Sequence, residues 1–270
     1  MFYVDQLGNK VKKHNYKRIV STVPSQTELL HHLGLGDRVV GITKFCIHPE
    51  SWFRSKKRIG GTKTVDIDKV KALKPDLIIG NKEENQKEDI IALQDVAPVW
   101  MSDIYNLDNS LKMISELGDL LGVERSANNL INEIEKGFQN INKVNDNLNC
   151  LYLIWRKPYM GVAKNTFIDH VLTEQLGLSN YLSSEVRYPE INLEDPQEIE
   201  NKFGDFPDFI FLSSEPFPFK QKHIDELKSS YPTSKFIIVD GEYFSWYGSR
   251  LKDAPKYFNK LLENLQKEHR

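Results

Sequence analysis

Between Val123 and Val144 the apolar side chains fall at Val123, Ala127, Leu130, Ile131, Ile134, Phe138 and Ile141. Steps of mostly three and four place them on one face of a helix, while Glu, Lys, Asn and Gln fill the other. The segment holds no proline and one glycine, Gly137, so the spacing predicts an unbroken amphipathic helix about 33 Å long.

The pattern on either side of this helix repeats. Lys74-Pro75-Asp76-Leu77-Ile78-Ile79-Gly80 precedes it and Phe206-Pro207-Asp208-Phe209-Ile210-Phe211-Leu212 follows it, each a Pro-Asp pair opening a short apolar run. A hydrophobic and acidic alternation stands before each, at Val65–Asp68 and Ile191–Glu194, and an amphipathic segment stands after each, at Lys87–Leu93 and Lys222–Leu227. An ordered series of helix, strand and helix on both sides predicts an α/β fold of two Rossmann-like lobes joined by one long backbone α-helix. The expected boundaries are residues 1–106 for the first lobe, 107–147 for a covering helix and the bridging helix, and 148–270 for the second lobe.

Strands are expected at Arg18–Val23, Val39–Thr43, Asp76–Gly80 and Val96–Ser102, and in the second half at Cys150–Trp155, Asp208–Leu212 and Phe236–Val239. Ser25 followed by Glu28 reads as a capping box, so a helix should start there and stop at Gly34. Leu107–Leu121 should form a helix ended by Gly122, and another should start at Asn165-Thr166-Phe167 and end at Gly177.

Composition restricts the function. With 40% hydrophobic and 27% charged residues the chain is ordinary globular material, and a net charge of −2 supplies no field for a polyanion, so nucleic acid is excluded as a partner. No apolar run reaches the ~18 residues of a membrane span. Residues 1–20 lack the apolar core of a secretory signal, which points to the cytoplasm if the chain is complete and to the cell envelope if a signal has been removed. Cys46 and Cys150 lie in different expected lobes and read as small buried residues rather than a disulfide. Cys46 and His48 could reach one metal from a loop, but no matching pair of ligands stands nearby, so no metal site is expected. Phosphate-loop, dinucleotide, serine-hydrolase and metalloprotease motifs are absent, which favours a binding protein over an enzyme.

Ligands of open α/β sheets gather at the carboxyl ends of strands. There the rims bring together Phe45, Tyr105, Trp155, Tyr159, Tyr243, Phe244, Trp246 and Tyr247 with Lys44, Lys82, Arg156, Lys157, Arg187 and Arg250. Trp246-Tyr247 sits in a Gly-flanked loop with little core to enter, so its rings read as binding surface. The expected ligand-binding residues are Ser25 at the first helix start, Cys46 and His48 from the first lobe, Trp155 and Tyr159 from the first strand of the second lobe, and Trp246, Tyr247 and Arg250 from its last loop.

Arg18-Ile19-Val20-Ser21 through Pro24-Ser25-Gln26-Thr27-Glu28-Leu29, then Gly34-Leu35-Gly36-Asp37, Val39-Val40-Gly41 and Leu73-Lys74-Pro75-Asp76-Leu77-Ile78, resembles the solute-binding proteins of ABC importers for vitamin B12, ferric siderophores and haem. Asn165-Thr166-Phe167 and the second Pro-Asp strand fit as well, so the resemblance covers nearly the whole chain. It implies a monomer without intrinsic cofactor, holding cobalamin or a ferric chelate between its lobes and delivering it to an ABC permease. It also implies a periplasmic or cell-envelope location. In the vitamin B12 member an acidic side chain on each lobe engages permease arginines, and the matching positions are Glu84 and Glu194. The leading expectation is capture of a corrinoid, the alternative within the family is a ferric siderophore or haem, and the alternative of another class is a cytosolic metal-chelate sensor, chaperone or enzyme.

Overall fold

The computed structural model describes residues 2–144 and 147–269. The chain divides into two compact units, one made of Met1–Glu135 with Trp246–Lys252 and the other of Lys136–Ser245 with Asp253–Arg270.

The first unit opens with a hairpin, β1 (Phe2–Val4) antiparallel to β2 (Lys10–Lys12). Five strands then form an all-parallel sheet in the order β5-β4-β3-β6-β7, from β3 (Ile19–Ser21), β4 (Val39–Ile42), β5 (Lys57–Arg58), β6 (Leu77–Asn81) and β7 (Val99–Ser102). Every residue of β3, β6 and β7 is buried, which is why these strands read as continuous apolar runs and not as alternations. Helices α1 (Pro24–His32), α2 (Glu50–Ser55), α3 (Ile67–Ala72), α4 (Lys87–Gln94) and α5 (Leu107–Leu121) connect and cover the strands.

The helix α6 (Glu124–Gln139) carries the apolar stripe read from the sequence, but it is 16 residues long and stops before Val144. Two asparagines account for the stop. The Asn259 side-chain amide accepts from the Asn142 N–H at 2.8 Å and donates to the Asn140 carbonyl at 3.1 Å, while Asn140 Nδ2 caps the Lys136 carbonyl at 2.6 Å. Ile141 and Val144 are nevertheless buried, so the apolar period outlasts the helix. The division between the units falls inside α6, between Glu135 and Lys136. At its other end α6 meets α5 through the left-handed Gly122, and a Cβ on Gly118 would lie 2.4 Å from that of Ala127, so this helical hairpin closes only around a glycine.

The second unit holds β8 (Asn149–Trp155), β9 (Tyr159–Gly161), β10 (Ser179–Asn180), β11 (Glu190–Ile191), β12 (Phe209–Ser213) and β13 (Lys235–Val239). Their order is β11-β9-β8-β12-β13, with β10 beside the start of β8. β8, β12 and β13 are parallel, whereas β9 runs antiparallel to both of its neighbours, β8 and β11, so this sheet is mixed where the first is not. Helices α7 (Phe167–His170), α8 (Pro196–Phe203), α9 (Gln221–Leu227), α10 (Gly241–Ser245) and α11 (Ala254–His269) complete it. The helix expected at Thr166 starts there, with the Thr166 hydroxyl accepting from the Asp169 N–H, and it finishes in a π turn at Val171–Gln175.

The repeated Pro-Asp pair has the same job in both units. Asp76 accepts the backbone N–H groups of Lys17 and Arg18, at 2.7 and 2.8 Å, just before β3. Asp208 accepts the N–H of Asn149, at 2.8 Å, at the start of β8. In each case a carboxylate at the entry of one strand fixes the register of its parallel neighbour.

Candidate functional site

In the first unit all five strands point their carboxyl ends to one edge, so the loops leaving β4, β6 and β7 and the start of α1 share it. The loop after β4 exposes Phe45 and Ile47, with the Lys44 ammonium 5.0 Å from the Phe45 ring centroid, and the loop after β7 exposes Tyr105. The loop after β6 is built on buried amides. Asn81 Oδ1 accepts from the N–H groups of Glu83 and Glu84, Asn85 Oδ1 accepts from the N–H of Asn81 and the Thr22 hydroxyl, and Asn81 Nδ2 donates to Ser102 Oγ at 2.9 Å. The loop is therefore held from below, with Lys82 turned to Asp103 at 2.6 Å. Glu84 is half-buried, and desolvation pushes its carboxyl above the usual carboxylate range.

Trp246, Tyr247 and Arg250 belong to this first unit, not to the second where the sequence placed them. Gly248, at φ +120°, lets the chain pass against α1, where a Cβ would stand 3.4 Å from that of Leu29 and 3.6 Å from the Ser25 carbonyl. The Arg250 guanidinium binds the Glu28 carboxylate and lies 4.8 Å from the Trp246 ring centroid, and the Trp246 ring meets the half-buried His48 edge to face at 5.6 Å. Trp246 is 7% exposed and Tyr247 is buried as well, so the Gly-flanked loop does have a core to enter, namely the surface of α1.

Two further sequence expectations change. Glu28 closes no capping box: α1 starts at Pro24 after Val23, without a side-chain cap, and Ser25 is buried in its first turn. The proline supplies no N–H that would need a cap, which leaves the Glu28 carboxylate to Arg250. Cys46 is fully buried with its sulfur 3.1 Å from the hydroxyls of Thr27 and Thr43, and burial pushes its thiol up. It is an inert packing residue. Both cysteines are free, and no group of three or more candidate metal ligands occurs among the described residues.

In the second unit Trp155 ends β8 and is 41% exposed, resting edge to face on Phe217 at 5.9 Å. Tyr159 is buried in the apolar cluster of Leu151, Leu153, Leu212 and Tyr231, with its hydroxyl 3.3 Å from Arg156 Nε. Arg156 is in turn paired with Glu226. Tyr159 thus packs the unit, while Trp155 offers a free ring face. Glu194 is exposed just before Asp195, the side-chain cap of α8. A groove of about 390 Å3 runs along β13 between Ile224, Phe236, Ile238 and Leu261, and no residue expected from the sequence lines it. Phe45 and Tyr105 stood among the strand-end aromatics but outside the expected site, and the carboxyl-end rule applied by itself would have retained them.

Residues 19–235 match the family described as periplasmic binding protein, four-fifths of the chain. The chain belongs to that family. Among curated members, the vitamin B12-binding protein of Vibrio cholerae is 24% identical over 182 residues, covering 66% of this chain and 66% of the relative. The match therefore spans just under two thirds of the relative's length. Among solved structures, the periplasmic haem-binding protein RhuT from Roseiflexus sp. RS-1 superposes with a TM-score of 0.74 at 18% identity, covering 93% of this chain and 98% of the other. The siderophore-binding protein BauB, bound to two acinetobactin molecules and ferric iron, gives 0.76 at 17% identity, covering 97% and 98%. Identities this low establish the shared binding-protein fold, in agreement with the two Rossmann-like units.

Proposed function

We propose that this chain is the solute-binding component of an ABC importer and that it captures a corrinoid. The match to vitamin B12-binding protein carries this reading. Exposed strand-end aromatics support it: Phe45 and Tyr105 in the first unit and Trp155 in the second offer flat apolar surface, which a corrin or porphyrin disc requires. In the first unit the Trp246 ring, covered by Arg250, packs on His48 in the loop after β4. The cations Lys44 and Lys82 on the same edge favour, as a second reading, an anionic ferric siderophore. Family membership supports residence in the cell envelope and a permease partner, for which Glu194 and Glu84 are the docking side chains.

A thermal-shift series with cyanocobalamin, haemin and a ferric catecholate, each at about 100 times its dissociation constant, tests the reading. A ligand that binds only the native state adds roughly 2.7 kcal/mol at that excess. Cobalamin alone should raise the melting temperature, and a rise with the ferric catecholate alone would transfer the assignment to siderophores. Reversing both charges, Glu84→Lys with Glu194→Lys, should abolish stimulation of the permease ATPase and leave ligand affinity unchanged. A parallel loss of affinity would place the two carboxylates in the ligand site.

A further inference from the structure

We propose that the outer face of the β1–β2 hairpin is a contact surface for an anionic lipid headgroup layer. In this hairpin Phe2 stands opposite Lys12, Tyr3 opposite Val11 and Val4 opposite Lys10. Directly opposed residues of an antiparallel pair share a face, so Phe2, Val4, Lys10 and Lys12 form one face and Tyr3 and Val11 the other. The inner face is packed: Val11 is buried, Tyr3 is half-buried, and the Lys13 ammonium lies 5.7 Å from the Tyr3 ring centroid. The outer face is open. Phe2 is 62% exposed, Val4 53% and Leu7, at the turn, 41%, and both lysines are exposed beside them.

Charge is segregated in the same place. From Leu7 to Arg18 the chain carries Lys10, Lys12, Lys13, Lys17 and Arg18 and no acid, although its net charge is −2; Lys13 is turned to Glu124 at 3.7 Å, and Lys10 and Lys12 are the cations of the outer face. The one carboxylate of the hairpin, Asp5, is buried and turned inward. It accepts from the N–H groups of Leu7, Asn9 and Met101 and from Asn9 Nδ2, all at 2.8 to 2.9 Å. Gln6 continues this attachment, accepting from the Asp103 N–H and donating to the Asn109 carbonyl. The turn is thereby tied to β7 and α5, so the outer face is presented with little ordering cost on contact.

The size of the face selects the partner. Three apolar side chains with lysines between them are too few to bury the ~1,000 Å2 of a specific protein interface. Partition into a headgroup layer has no such threshold, because each apolar side chain and each lysine near the surface adds to it separately. Lysines that reach phosphates while neighbouring Phe, Val and Leu side chains enter the acyl boundary are the chemistry of a membrane-surface patch. The proposal does not depend on which chelate the protein binds.

Flotation of the full chain with vesicles tests it. The protein should bind vesicles of phosphatidylcholine containing about one third phosphatidylglycerol, should not bind pure phosphatidylcholine, and should be released by high salt. Lys10→Glu with Lys12→Glu should weaken binding by at least ~25-fold, since each lysine at such a surface contributes about fivefold. Phe2→Ser with Val4→Ser should weaken it severalfold, and neither pair should move the melting temperature. Equal binding to both vesicle types, binding to neither, or binding indifferent to the lysine reversals would overturn the proposal. So would self-association of the chain that the same substitutions abolish, since the face would then belong to a second copy.

Discussion

Arg250 donates from Nη2 and Nε to the two carboxylate oxygens of Glu28, at 2.7 and 3.1 Å, across 222 residues of sequence. This pair clips Trp246–Lys252 onto α1, and the side chains retain only 14% and 22% of their exposure. Arg250→Ala removes two charge-assisted hydrogen bonds and leaves a largely buried carboxylate unpaired, so it should cost about 2 kcal/mol. A double-mutant cycle with Glu28→Ala in urea should return a coupling energy of about 1 kcal/mol or more. Additive effects would mean that the segment is held by packing alone.

The Asn259 amide that ends α6 gives a second test. Its removal leaves the Asn142 N–H and the Asn140 carbonyl to water, and Asn259→Ala should therefore lower stability by about 1 kcal/mol. Asn259→Asp keeps the acceptor and loses the donor, so it should fall between the two. Amide hydrogen exchange at Asn142 should quicken in the alanine variant and stay near normal in the aspartate.

These two contacts mark where sequence reading stops. Strands β3, β6, β7 and β12 were legible because burial on both faces leaves an uninterrupted apolar run, and the Pro-Asp echo was legible because each pair stands directly before its own strand, although the backbone groups its aspartate holds belong to the neighbouring strand. α5 was found with both ends correct, since Asn106 and Gly122 announce them locally. The end of α6 was missed because Asn259 stops it from far along the chain. The return of Trp246–Lys252 to the first unit was missed for the same reason, its partner Glu28 having been read as a capping residue. Among the site candidates, Trp155 keeps its exposed ring, whereas Cys46, Tyr159, Trp246 and Tyr247 turned inward, a distinction that residue type and strand-end position do not carry.

Glu84 should make stability pH-dependent in a definite sense. Burial raises its folded-state carboxyl above 4.5, so the folded protein holds the proton more tightly than the unfolded chain. Stability contributed by this group is then fully present below pH 4.5 and is lost as pH rises through the raised value. Glu84→Gln should consequently be more stable than the parent at pH 7, with the advantage shrinking toward pH 4. Urea midpoints at the two pH values check this, and a constant difference would show that the carboxylate is solvated in the folded protein.

Two tryptophans separate ligand surface from packing. Trp246 is 7% exposed, wedged against His48 and Arg250, and Trp246→Ala should destabilise the ligand-free protein by about 3 kcal/mol. At 270 residues that corresponds to a drop of several degrees in melting temperature. Trp155 is 41% exposed and meets Phe217 edge to face, so Trp155→Ala should change stability by less than ~1 kcal/mol. If its free ring is a contact for the chelate, truncation costs about 2 kcal/mol of binding, a loss of more than tenfold in affinity. Calorimetric titration of cobalamin into both variants, beside their ligand-free melting curves, distinguishes the roles. Trp155→Ala should bind weakly and melt normally. A Trp155→Ala protein that melts low and binds like the parent would reassign this ring to packing and leave Phe45 and Tyr105 as the aromatic surface to be tested.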